Sequence, residues 1–252
     1  MSKKNARWRK LDNAAKLYSA ASNKKDTRVF RFYCELKEEV NPKALQEALN
    51  QTIETFPTFL MVLRKGFFWH YLEPCNLRPI VKEEYKEPCS RLYIRDKKTL
   101  LFEVTYYKKR INFEVFHVLT DGTGATEFLK ELVKNYLYLV HKEEGLEQIT
   151  LLPEDMTVQD QEDDSFLKYY SKNQKRPKKK KLNAFQIRRK KKDGNHLHVH
   201  ESVVSVQAVL KRSRELGVSM TIFLTALFMM AINEEMSKMQ KKKPVVLMVP
   251  VN

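Results

Sequence analysis

The stretch from 153 to 194 constrains this chain more than any other feature. It begins acidic, as PEDMTVQDQEDD over 153–164, and then turns basic: residues 172–193 hold twelve Lys or Arg against one acid, a local +11. The 252 residues together carry +16, so +5 is left for everything else. A segment this charged and this poor in apolar side chains has too little to bury to offset its own ordering entropy. It is therefore read as a charged, mobile connector over 153–194 that divides the chain into a larger part, 1–152, and a smaller one, 195–252.

The larger part has the punctuation of a mixed α/β layer. Asn41-Pro42 offers an N-cap and a first-turn proline, after which Leu45, Ala48, Leu49, Thr52, Ile53 and Phe56 share one helix face before Pro57 stops it. TFLMVLR and FFWHYLE flank Lys65-Gly66 as a hairpin, and LLFEVTYY and INFEVFHV flank Lys108-Lys109-Arg110 as another. In the last of these strands Ile111, Phe113, Val115 and His117 alternate onto one side. Asp121-Gly122-Thr123-Gly124 then breaks the strand and opens a helix with Phe128, Leu129, Leu132, Val133, Tyr136, Leu137 and Val140 inward.

In the smaller part, HLHVHES over 196–202 predicts a short strand. Ser205 caps a helix with Val206, Val209, Leu210, Ser213 and Leu216 inward, closed by Gly217. Ser219 starts a second helix, apolar almost all round from Met220 to Met230 and so expected to be buried between layers, and KPVVLMVPV predicts a buried strand. Two helices and two strands make a thin core. This part reads as the beginning of a lobe whose apolar surface drives self-association.

Several classes fall away on composition. Cys34, Cys75 and Cys89 stand at unrelated spacings, which points to free thiols in a reducing, cytoplasmic setting and gives none of them a nucleophile's role. No apolar leader opens the chain, and the longest apolar run, 221–232, is short of the roughly 20 residues of a membrane span. His196, His198 and His200 share a strand face, but the nearby acid Glu201 points the other way, so a solvated face is expected and no metal. The basic tract has only Phe185 for stacking, so nucleic acid is not an expected partner.

The candidate chemistry sits in FHVLTDGTGATEF, from Phe116 to Phe128. A histidine at the inner end of a strand, shielded from water, is neutral at cytoplasmic pH and able to take a proton from a hydroxyl or an amine. Asp121 can hold the turn by accepting backbone N–H groups or pairing with an arginine, and Gly122 leaves room for close approach to the backbone. The same spacing also suits a core histidine followed by an ordinary Asp-Gly turn.

His117-Val118-Leu119-Thr120-Asp121-Gly122 is similar to the HxxxDG signature of the coenzyme A-dependent acyltransferase superfamily. That superfamily includes chloramphenicol acetyltransferase, the condensation domains of peptide synthetases and the bacterial alcohol acetyltransferases. Lys10-Leu11-Asp12-Asn13-Ala14, the helix from Asn41 to Leu49 and the ending Val249-Pro250-Val251-Asn252 resemble the alcohol acetyltransferase-like members most. The family's later Asp-Phe-Gly-Trp-Gly motif does not occur, so the resemblance covers the first part of a typical member. It implies a chloramphenicol acetyltransferase-like α/β (α+β) fold, a two-layer mixed sheet with helices, its first lobe complete and its second partial. It also implies acyl transfer from acetyl-CoA or another acyl-CoA to a small alcohol or amine, with His117 as general base, Asp121 as scaffold and Gly122 as clearance. The reading from a different class is a noncatalytic binding protein on a truncated acyltransferase fold, its basic connector contacting an anionic partner.

Overall fold

The structure, a computed structural model, describes residues 8–23, 26–67, 69–95, 97–144, 183–187 and 199–249. The chain falls into two compact units, Met1–Ser171 and Lys172–Asn252. The first is mixed α/β, with two sheets and three helices among its described residues. Its strands and helices run β1 (Arg9–Lys10), α1 (Asn13–Ala21), β2 (Val29–Glu35), α2 (Pro42–Thr55), β3 (Met61–Lys65), β4 (His70–Pro74), β5 (Lys82–Glu83), β6 (Phe102–Tyr107), β7 (Arg110–Phe116) and α3 (Gly122–Val140).

The larger sheet has the order β2-β7-β6-β5, with β5 parallel to β6 and the other pairs antiparallel. Both hairpins expected from sequence form, β3 with β4 and β6 with β7. Antiparallel partners share a face, so the register of Phe32 with Phe113 and of Phe113 with Val104 builds one apolar side. Helices α2 and α3 cover that side. Phe128 of α3 stacks on Phe113 at 4.7 Å and on Phe59 at 4.4 Å, and all three rings are buried. Each ring removed from water contributes about 1.5–3 kcal/mol. The helices are tied to each other by the Asn135 amide, which donates to the Thr52 hydroxyl at 3.0 Å.

The opposite side of the same sheet is polar and is covered by the segment between β5 and β6. Glu114, 2 % exposed, accepts from the Arg31 Nε at 2.8 Å and from the Cys89 N–H at 2.7 Å, while Arg31 Nη2 also reaches Glu84 at 2.7 Å. Burial alone would lower the Arg31 guanidinium, but hydrogen bonds and ion pairs with Glu84 and Glu114 outweigh it and hold it above its ordinary value. Cys89 adopts φ 57, a left-handed conformation pinned by the Glu114 bond and by its carbonyl, which accepts from the Thr27 hydroxyl at 2.7 Å. The smaller sheet, β1-β4-β3, is antiparallel throughout.

In the second unit Ser205 and Ser219 cap α4 (Val206–Glu215) and α5 (Met220–Glu234), as the sequence predicts, and Gly217 turns between them at φ 67. Two expectations fail there. Residues 243–249 form no strand and leave Val246, Met248 and Val249 exposed, and α5 is not buried between layers: Ile222, Leu224, Leu227, Phe228 and Met230 face solvent. The reason is shared. A strand needs a neighbour along its length, and an all-apolar helix needs a sheet to cover it. The Pro244 carbonyl accepts from the Phe185 N–H at 2.9 Å without a ladder forming, and among the described residues of this unit no sheet faces α5. Residues 199–202 likewise form no strand, while His196, His198, the connector outside 183–187 and the end of the chain at 250–252 lie outside the described residues. Among the described residues no single helix is long and apolar enough to cross a membrane.

Candidate functional site

Strand β7 ends at Phe116, one residue before the histidine, because its ladder with β2 is finished by a single further bond. The His117 N–H donates to the Arg28 carbonyl at 2.9 Å, and the chain then turns, the Leu119 N–H donating back to the Phe116 carbonyl at 2.8 Å. His117 nevertheless keeps the apolar side of the sheet. Its ring lies 4.6 Å from that of Phe30, and Phe30 pairs with the inward Val115. Tyr18 of α1 stacks on it almost parallel, with ring centroids 4.1 Å apart and planes at 14°.

This enclosure sets the proton affinity of the ring. Burial pushes the imidazole below its usual value; the backbone of His117 and Thr120 and the Asp121 carboxylate pull the other way, and the Arg28 guanidinium adds to the lowering. Nδ1 is buried and finds no partner at hydrogen-bond geometry. With Nδ1 enclosed, Nε2 is the ring nitrogen left to meet a ligand.

Asp121 is the N-cap of α3, and its exposed carboxylate accepts from the Gly124 N–H at 2.9 Å. Of the two roles open to it from sequence, the structure shows the backbone one, and no arginine pairs with it among the described residues. A Cβ added at Gly122 would meet nothing within 4 Å, so that position opens onto free space, whereas a Cβ at Gly124 would collide with the Thr120 hydroxyl. The turn therefore needs its second glycine for packing; the first is free of steric demand from the protein itself.

The sequence reading missed Tyr18, Phe30 and Arg28. Asp12, accepting from the Ala15 N–H at 2.6 Å, signals the start of the helix that carries Tyr18, and VFRFYCE alternates as a strand should. Nothing local, however, announces that either element meets residue 117. Arg28 holds φ 56, a strained conformation costing about 1–3 kcal/mol, right where its carbonyl receives the His117 N–H. The three cysteines are free, and burial raises each thiol, so all stay protonated at neutral pH. Among the described residues no group of three or more His, Cys, Asp or Glu is placed to hold a metal.

No family model matches the sequence, and no curated protein matches it at a significant level. Solved structures similar to part of the chain include the starter condensation domain of the rhizomide synthetase RzmA, 12% identical over 54% of this chain and 39% of that one, with a TM-score of 0.45. A mutant of that domain, solved in complex with C8-CoA, is 13% identical over 54% and 36%, with a TM-score of 0.46. Polyketide synthase associated protein 5 from Mycobacterium tuberculosis is 18% identical over 57% and 36%, with a TM-score of 0.42. The chain thus spans about two fifths of the length of the solved structures it resembles.

Proposed function

We propose that this chain carries the base of an acyltransferase that moves an acyl group from acyl-coenzyme A to a small alcohol or amine. The observation that carries the reading is the His117 ring: half-buried, biased to the neutral form, closed at Nδ1 and set at a strand-to-helix turn. Neutral Nε2 takes the proton of the acceptor as its oxygen or nitrogen attacks the thioester carbonyl carbon. The carbon–sulfur bond then breaks, and the imidazolium returns the proton to the departing thiolate. Asp121 positions the turn through the Gly124 N–H, and the open space at Gly122 admits the substrate to the backbone. The HxxxDG resemblance supports the same assignment.

A second reading, a noncatalytic binding protein, is favoured by one observation: an imidazole stacked on Tyr18 and tilted against Phe30 is also how a purely structural histidine is packed. The test is thiol release from acetyl-coenzyme A with a panel of alcohols and amines, for the wild type and His117→Ala. Loss of acceptor-dependent release by about 100-fold to 10,000-fold is expected. Unchanged release in the variant overturns the assignment, and binding of acetyl-coenzyme A without any turnover in the wild type favours the second reading.

A further inference from the structure

We propose that the outer sheet β1-β4-β3 is a membrane-facing surface that seats on a bilayer carrying anionic lipid, a property separate from any chemistry at His117. Lys10 and Arg64 both pair with Tyr71, and antiparallel partners share a face, so one side of this sheet presents two cations around a tyrosine. Trp8 packs edge-on against the same Tyr71 ring, centroids 6.1 Å apart. Trp69 joins them at the hairpin: a side chain built onto Gly66 would touch both the Trp69 indole and the Tyr71 ring. Beyond them the tip carries Phe67, 99 % exposed, with Trp69 at 61 % and Trp8 at 54 %.

Charge on the three strands is mostly positive. Counted over both sides, Arg9, Lys10, Arg64 and Lys65 stand against a single carboxylate, Glu73. Glu73 shares the Tyr71 side with Lys10 and Arg64 and is 3.2 Å from Arg64, while Arg9 and Lys65 alternate onto the Leu72 and His70 side. Burial first, and then the charges of Lys65 and Arg95, lower the proton affinity of His70. The shape excludes a partner that needs a groove, because a phenylalanine at the apex of a hairpin protrudes. A fluid interface accepts such a shape: indole and phenol rings settle at headgroup depth, the Phe67 ring goes deeper, and each nearby Lys or Arg improves partition to an anionic surface about fivefold.

Trp8 and Trp69 are the only tryptophans of the sequence, so intrinsic emission reports on this face without a label. The full chain is titrated with vesicles of phosphatidylcholine plus phosphatidylglycerol, with vesicles of phosphatidylcholine alone, and with brominated forms of the first. The expected result is a blue shift and quenching by the brominated acyl chains with the anionic vesicles. Phe67→Ser combined with Lys65→Glu, which keeps both indoles and removes only exposed groups, should weaken this partition by more than about tenfold. Failure to bind overturns the proposal. So does co-sedimentation without an emission change, which places the contact elsewhere on the chain. An emission change with a single-stranded oligonucleotide but not with vesicles assigns the face to nucleic acid instead.

Discussion

Phe128 and Phe228 are the same side chain on helices of the two units, α3 with one apolar face and α5 apolar almost all round, and the molecule treats them in opposite ways. Phe128 is fully buried among Phe56, Phe59, Phe102 and Phe113, while Phe228 is 57 % exposed on α5. Helix α3 has its sheet and α5 has none among the described residues of its unit. Hydrophobic sequence thus supplies the capacity for burial, and stability follows only where a facing layer completes it.

The largest test of that contrast is a pair of truncations. Phe128→Ala should destabilise the first unit by about 3–5 kcal/mol in urea unfolding. Phe228→Ala should change stability by no more than about 0.5 kcal/mol, while reducing self-association seen by light scattering. Equal losses at the two positions, or a clean monomer before and after, would break the comparison.

Next in size is the polar side of the large sheet. Arg31→Leu removes the guanidinium from buried Glu114 and leaves its charge uncompensated, which should cost about 3–5 kcal/mol. A thermal transition within a degree or two of the wild type would show that the cluster is solvated after all.

Asp121→Ala should cost less, about 1 kcal/mol, because the lost bond is an exposed N-cap to Gly124 rather than a buried ion pair. Asp121→Asn, which keeps the acceptor, should recover most of it in the same unfolding assay.

The smallest effect is a pH slope. Burial lowers the affinity of folded His117 for a proton, so below its ordinary value of about 6.5 the unfolded chain takes up that proton first. The contribution of His117 is complete above about pH 6.5 and falls away as the pH drops toward the lower value of the folded state. His70 is lowered as well, so the informative quantity is the difference between the wild type and His117→Gln. Identical slopes for the two proteins on the acid side would show that the ring at 117 is not shielded. In an active preparation, the acid limb of the rate profile should likewise lie below 6.5.

Much of the first unit was legible before the structure. The Asn41-Pro42 start, both hairpins, the inward alternation to His117 and the helix after Asp121 all follow from signals within a few residues of one another. Contacts between distant segments were not. The Tyr18 stack joins α1 to a turn a hundred residues on, and nothing in VFRFYCE announces that Arg31, on the edge strand β2, pairs with Glu84 and Glu114 on a covered side of the sheet. The open position at Gly122 and the crowded one at Gly124 are indistinguishable as letters; only the placement of the Thr120 hydroxyl separates them. In the second unit, caps were read correctly because capping is local, and burial was misread because burial needs a partner.

The pairing of β2 with β7 bears on how the candidate site comes into being. Arg31 and Glu114, which face each other across it, are 83 residues apart, and closing such a loop costs about 4 kcal/mol of chain entropy beyond a constant. The hairpins β3-β4 and β6-β7 close over a few residues and can form early, whereas the strand edge that receives the His117 N–H exists only after β2 has docked. A kinetic intermediate in which β2 has not yet docked would carry the histidine, the aspartate and both glycines, but without the carbonyl of Arg28 or the ring of Phe30 beside them. The imidazole would then titrate like one in a peptide, so its proton affinity marks the completion of folding.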